Sequence, residues 1–157
     1  MESVVNIASY VSQRYQDTFW ERISEMKLHK LLYFIQRECI IQFGEPMFPE
    51  QFAAWKYGPV MVPIRKLYAQ NALTESLPQI AQNKYAGVFD FVFTQYAAKD
   101  AWSLSRLTHG ELSWRNARVG LSPDENGSTA LTLADIQQDA VRAKTRRFII
   151  DTINSSK

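Results

Sequence analysis

Two histidines, His29 and His109, and a single cysteine, Cys39, are the residues from which a reactive centre would most readily be built. A zinc site needs three or four nitrogen, sulfur or carboxylate ligands in one place, and no His-x3-His or Glu-x2-His spacing joins the two histidines. Cys39 has no partner for an intrachain disulfide. It falls inside an apolar helical stripe and reads as a small buried hydrophobe rather than a nucleophile. Covalent catalysis needs an activated nucleophile beside a base, and the sequence marks no Ser, Cys or Lys in that way. The six glycines are scattered singly, with no glycine-rich loop to hold phosphate. In Thr108-His109-Gly110, at a helix end, the His109 ring is expected to bond terminal carbonyls and to stack on Trp114. These residues argue against an enzyme, and no metal or cofactor is expected.

Recognition chemistry is better represented. Trp55, Tyr57, Trp102 and Trp114 are large, rigid side chains with a polar handle, the type that anchors protein interfaces. The same residues also fill cores. The run Arg142 to Arg147 is basic but not interleaved with aromatics, and it suits the negative C-terminal end of a helix dipole. The chain is organised around Phe52-Ala53-Ala54-Trp55-Lys56-Tyr57-Gly58-Pro59-Val60. Gly58 can adopt backbone angles closed to other residues, and Pro59 fixes its own φ and lacks a donor, so the pair reads as a rigid corner. Ahead of it, 51–57 is expected to be extended, with Trp55 and Tyr57 on one side. Beyond it, Val60 to Tyr68 is expected to leave as a helix opened by Pro59. The corner is either core or binding surface.

The elements that position these residues are mostly helical. Val4, Ile7, Ala8 and Val11 mark a first helix over 4–15. The strongest helix runs from Ser24 to Phe43, with Ser24 as N-cap and Gly44 past its end. Leu28, Leu31, Leu32, Ile35, Cys39 and Phe43 form one apolar stripe, while Met26, Tyr33, Phe34, Ile40 and Ile41 widen it, which makes this the central helix. Lys30 and Arg37 are left on a narrow polar side. Residues 70–78 read as a loop, and 85–94 as a buried strand or a helix, which periodicity does not separate. A short helix is expected over 114–119 with Ser113 as its cap. An exposed turn covers 122–128. Thr132 followed by Asp135 opens a last helix ending near Ile150.

At 157 residues, 46% hydrophobic and 13% aromatic, the chain suits one compact domain over 1–157, mainly α with a small β element near the Trp55–Pro59 corner. A net charge of +2 is too small to imply a nucleic-acid or membrane partner. The N-terminus lacks the basic start and apolar run of a signal peptide, and a cytoplasmic location is expected.

Four motifs in order, Lys27-Leu28-His29-Lys30-Leu31-Leu32-Tyr33 with Gln36, Trp55-Lys56-Tyr57-Gly58-Pro59-Val60, Leu107-Thr108-His109, and Trp114 with Ala117 and Arg118, resemble the Panacea (SocA-like, phage-associated GepA-like) antitoxin domain family. The resemblance spans about residues 7–149. It implies an antitoxin of a bacterial or phage toxin–antitoxin system that neutralises a cognate toxin by direct protein contact. One branch resembles a protease adaptor that delivers toxin to a AAA+ protease. Some relatives carry a helix-turn-helix segment; there is no room for one before Ile7, so DNA binding is not expected. A phage regulatory or DNA-binding protein is the alternative, with a small-substrate enzyme behind it. The motif residues Lys27, Leu28, Lys30, Leu31, Leu32, Tyr33, Gln36, Thr108, His109, Trp114, Ala117 and Arg118 are expected to serve the fold, and Trp55, Lys56, Tyr57, Gly58, Pro59 and Arg65 to contact the toxin.

Overall fold

The structure, a computed structural model, describes residues 1–156. It is mainly α. The described residues form eight α-helices and a two-stranded hairpin: α1 (Val4–Phe19), α2 (Glu25–Phe43), β1 (Ala53–Trp55), β2 (Gly58–Val60), α3 (Val62–Ala69), α4 (Gln79–Lys84), α5 (Ala86–Val92), α6 (Ala101–His109), α7 (Leu112–Ala117) and α8 (Leu133–Ser155). A π-helical turn, Phe93–Ala97, follows α5.

Helix α2 is the axis, packed by α1, α5, α6, α8 and β2. Its ends follow local chemistry. The Ser24 side chain accepts from the Lys27 N–H, and Gly44, at φ 75°, takes the left-handed turn that terminates it. The expected apolar stripe is buried from Leu28 to Cys39, while Phe43 at its end is exposed. The polar side is not solvated, contrary to the expectation for Lys30 and Arg37: they are 1% and 4% exposed. Their heads meet fixed acceptors inside the protein. Lys27 donates to the Tyr15 hydroxyl and the Ala97 carbonyl, both at 3.0 Å. Gln36 donates to the Phe48 carbonyl and accepts the Met47 N–H, both at 2.8 Å. Arg37 donates to Glu111 Oε1 at 2.7 Å and to the Tyr96 hydroxyl at 2.8 Å. The polar residues of α2 thus bond surrounding segments to the central helix, as buried polar groups must be bonded.

The corner differs from its expected form. Pro59 lies in β2 rather than at a helix start. The strands pair antiparallel through a two-residue turn, Lys56-Tyr57, with Trp55 opposite Gly58 and Ala53 opposite Val60. The following helix begins at Val62, with Pro63 in its first turn. Helix α7 is capped from outside: Ser113 lies within it, and Asp139 Oδ1 accepts the N–H groups of Leu112 at 2.7 Å and Ser113 at 3.3 Å. Residues 85–94 are helical, preceded by a helix over 79–84 that shows no apolar period in the sequence. Thr132 caps α8 as expected, but α8 runs to Ser155, so Arg142 to Arg147 lie mid-helix rather than at its negative end.

Candidate functional site

The hairpin has two edges, and each is satisfied differently. Ala54, on β1, bonds outward to 127–129: its N–H donates to the Thr129 carbonyl at 3.1 Å, and its carbonyl accepts the Gly127 N–H at 3.3 Å. Arg118 adds a bond to the same Ala54 carbonyl at 2.8 Å. Pro59 is Ala54's cross-strand partner. Having no N–H, it leaves only a carbonyl on the outer edge of β2. That carbonyl accepts from Lys30 Nζ at 3.1 Å. Beyond it, the Met61 N–H donates to His29 Nδ1 at 3.1 Å. Neighbouring side chains of α2 therefore do for β2 what another strand would otherwise do.

Gly58 is what admits them. At φ +115° it occupies backbone space that L side chains rarely adopt. A Cβ there would stand 2.5 Å from Thr108 Oγ1 and 2.8 Å from Lys30 Cε. The motif residues Lys30, Gly58 and Thr108, far apart in the chain, meet at this point. Their fit joins three separate motifs at one point.

The turn itself is clamped from below. Trp114 Nε1–H donates to the Trp55 carbonyl at 2.8 Å, the Ser105 hydroxyl to the Tyr57 carbonyl at 2.5 Å, and the Lys56 N–H to Asn126 Oδ1 at 3.2 Å. Arg118 also holds the carbonyls of Ser122 and Glu125, at 2.9 and 2.6 Å. His109 stacks on Trp114 with centroids 4.2 Å apart and 12° between planes. The stacking expectation holds, but the expected bonds from this ring to helix-end carbonyls do not form. Its Nε2 is buried without a partner. Burial, with Lys30 nearby, lowers its pKa.

A cavity of about 240 Å³ opens beside the turn. Trp55, Tyr57, Val60 and Met26 form its walls, with Lys30 and His29 in its lining. Trp55 is half-buried, and Tyr57 is 43% exposed. The Tyr57 ring meets Trp102, itself 54% exposed, edge to face at 5.0 Å. Arg65 lies over the Trp55 ring at 4.6 Å and Lys56 over the Tyr57 ring at 5.2 Å. The structure therefore brings Trp55, Lys56, Tyr57 and Arg65 to one face, whereas Gly58 and Pro59, expected to contact a partner, are buried behind it against α2 and α6. It adds Lys30 and His29 from α2, whose burial the helical pattern did not reveal, and the half-buried Met26 and Glu25.

His29 Nδ1 accepts from Met61, so its proton sits on Nε2, facing Glu25 Oε2 at 3.3 Å. Burial, with Lys30 adjacent, pushes its pKa down to about 4. Burial also lowers Lys30 to about 8. Cys39 is wholly buried, and burial raises its thiol to about 12. Among the described residues no group of three or more His, Cys, Asp or Glu could hold a metal ion.

A second polar centre joins α2, α7 and α8. The Tyr33 hydroxyl lies 2.9 Å from Glu111 Oε2 and 2.7 Å from Asp139 Oδ2. One hydroxyl hydrogen faces two carboxylates, and burial raises the Glu111 pKa despite Arg37 beside it. This network ties helices together; the basic run of α8 contributes to it. Arg147 pairs with Glu38 at 2.7 Å, and Arg146 lies 3.8 Å from Glu111.

The motifs meeting at Gly58 fall inside a recognised family. The sequence model of the family described as Antitoxin SocA-like, Panacea domain, matches residues 28–115. The chain belongs to this family. A curated relative, Antitoxin SocA of Caulobacter vibrioides (strain NA1000 / CB15N), is 37% identical over 49 residues. That stretch covers 31% of this chain and 26% of the relative. No solved structure matches. In this Panacea domain the matched residues include α2 from Leu28, the whole hairpin and the start of α7. No helix among the described residues is long and apolar enough to cross a membrane.

Proposed function

We propose that the protein is an antitoxin that neutralises a cognate toxin by direct protein–protein contact in the cytoplasm, and that the hairpin face contributes to that contact. The observation that carries the reading is a Panacea-family hairpin turn clamped by Trp114, Ser105 and Asn126 with its aromatics turned outward. An anchor already held in place loses little conformational freedom on binding, so more of its contact energy appears as affinity. Occlusion of a toxin at cellular concentrations calls for nanomolar affinity, about −12 kcal/mol, and an interface of about 800 Å² per partner. Interfaces of that kind centre on Trp, Tyr and Arg, the types that Trp55, Tyr57, Trp102 and Arg65 present here.

Action by binding rather than catalysis is favoured because both His29 ring nitrogens are engaged and Cys39 is enclosed. Binding to nucleic acid is disfavoured because Arg147, within the basic run, is already paired with Glu38. Delivery of the bound toxin to a AAA+ protease would follow from the same contact. The deciding experiment is co-expression with the product of the adjacent gene, scored for restored growth and co-purification. The variant combining Lys56→Ala, Tyr57→Ala and Arg65→Ala should weaken the complex at least about 100-fold while still melting cooperatively. Equal binding by that variant would place the contact elsewhere; toxin turnover in the presence of the protease separates adaptor from simple blocker.

A further inference from the structure

Lys30 is 1% exposed, yet its ammonium has a single hydrogen-bond acceptor among the described residues, the Pro59 carbonyl, and no carboxylate in ion-pair range. Two of its three hydrogens have no such partner. Buried lysines are ordinarily paired, because an uncompensated charge out of water is costly. Glu25, the acidic residue of the cavity lining, is already shared between His29 and Arg65, each at 3.3 Å. Lys56 and Arg65 at the rim are laid over the Tyr57 and Trp55 rings. Lys30 and Lys56 thus line an opening that holds one carboxylate, itself engaged, with Arg65 beside it on the Trp55 ring. At about 240 Å³ the cavity is below the ~300–1,000 Å³ of small-molecule sites and suits one or two side chains.

We propose, resting on the toxin-contact reading above, that this cavity receives an acidic side chain of a partner polypeptide, an Asp or Glu beside an apolar residue. The carboxylate meets the Lys30 ammonium, and its apolar neighbour packs against Met26, Trp55, Tyr57 and Val60. Such a guest supplies the counter-charge Lys30 lacks. A nucleic-acid strand fits less well, because it needs free aromatic faces and cations strung along a groove. Here the Trp55 face carries Arg65, and the Tyr57 ring packs with Lys56 and Trp102. Burial lowers the Lys30 pKa to about 8, so an arriving carboxylate should raise it again.

The test follows the Lys30 Nζ resonance of the full chain, labelled with ¹⁵N at lysine, during titration with two synthetic peptides. One is acetyl-Ala-Leu-Asp-Leu-Ala-amide; the other replaces Asp with Asn. The aspartyl peptide should saturate and raise the Lys30 pKa by about one unit, roughly tenfold in proton affinity, while the asparaginyl peptide should not. Lys30→Gln keeps a donor for the Pro59 carbonyl and should weaken the aspartyl peptide at least about 10-fold, read by tryptophan fluorescence in parent and variant alike. Met26→Glu places a competing carboxylate in the lining and should weaken the peptide even if Lys30→Gln fails to fold. Equal responses to both peptides, no response, or a response to a duplex oligonucleotide instead would overturn the inference. With the adjacent gene's product, Lys30→Gln should lower affinity at least about 30-fold. If parent and variant bind that product equally, the inference falls and the toxin-contact reading stands. If the parent does not bind it, that reading falls and the peptide titration decides the inference alone.

Discussion

The empty Cβ position of Gly58 lies 2.8 Å from Lys30 Cε, so the central helix and the hairpin are in contact where a side chain would ordinarily stand. Gly58→Ala must displace both Lys30 and Thr108 and also hold alanine at φ +115°. The expected loss is about 3 kcal/mol or more, combining backbone strain and a close contact. Gly44→Ala is the control: φ is also positive, at +75°, but nothing lies within 4 Å, so about 1–2 kcal/mol is expected. Urea denaturation of both variants measures the difference.

A second expectation concerns pH. The folded His29 has a pKa of about 4, below the ordinary value of 6.5, chiefly through burial. Protonation would also leave Nδ1 with a hydrogen facing the Met61 N–H, which now donates to it. Between pH 6.5 and 4 the unfolded chain binds a proton that the folded protein refuses. This contribution is therefore fully present above pH 6.5 and is lost as pH falls through 4. His29→Gln should lack it. The stability of the parent relative to His29→Gln should fall by about 3 kcal/mol across that window, measured by denaturation at stepped pH.

The Cys39 thiol provides a probe of opening. With no exposed surface and a pKa raised to about 12 by burial, it should react with a disulfide reagent only when the core opens. Labelling under native conditions should keep pace with unfolding, and denaturant should accelerate it. Rapid stoichiometric labelling of the native protein would contradict the placement of α2 at the centre.

Asp139, with no exposed surface, accepts the N–H groups of Leu112 and Ser113 and faces the Tyr33 hydroxyl. Asp139→Ala leaves these donors buried without their acceptor and should cost about 3 kcal/mol or more. Asp135→Ala, at a half-buried site on the same helix, should stay within about 1 kcal/mol. Thermal melting of the two variants distinguishes a structural tie from general loss of acidic charge.

Local chemistry alone determined much of this protein. The Ser24 and Thr132 caps, the Gly44 terminator and the apolar stripe of α2 follow from short-range spacing, because a helix end or face is decided by residues within a few turns. The concentration of aromatic and basic residues near the hairpin was legible for the same reason, as was the stacking of His109 on Trp114. The burial of Lys30 and Arg37 was not. Helical spacing places them on a polar side, but only the positions of β2 and α7 supply the acceptors that make burial tolerable. Pro59 shows the same limit: its fixed φ suits a helix start or an edge strand, and Ala54 opposite it with Lys30 outside it decided for the strand. Nor did the sequence predict that Asp139, rather than Ser113, would cap α7, since the residues lie 26 apart. Contacts of this range depend on which backbone donors and acceptors remain unpaired once the helices pack, and that accounting exists only in the folded protein.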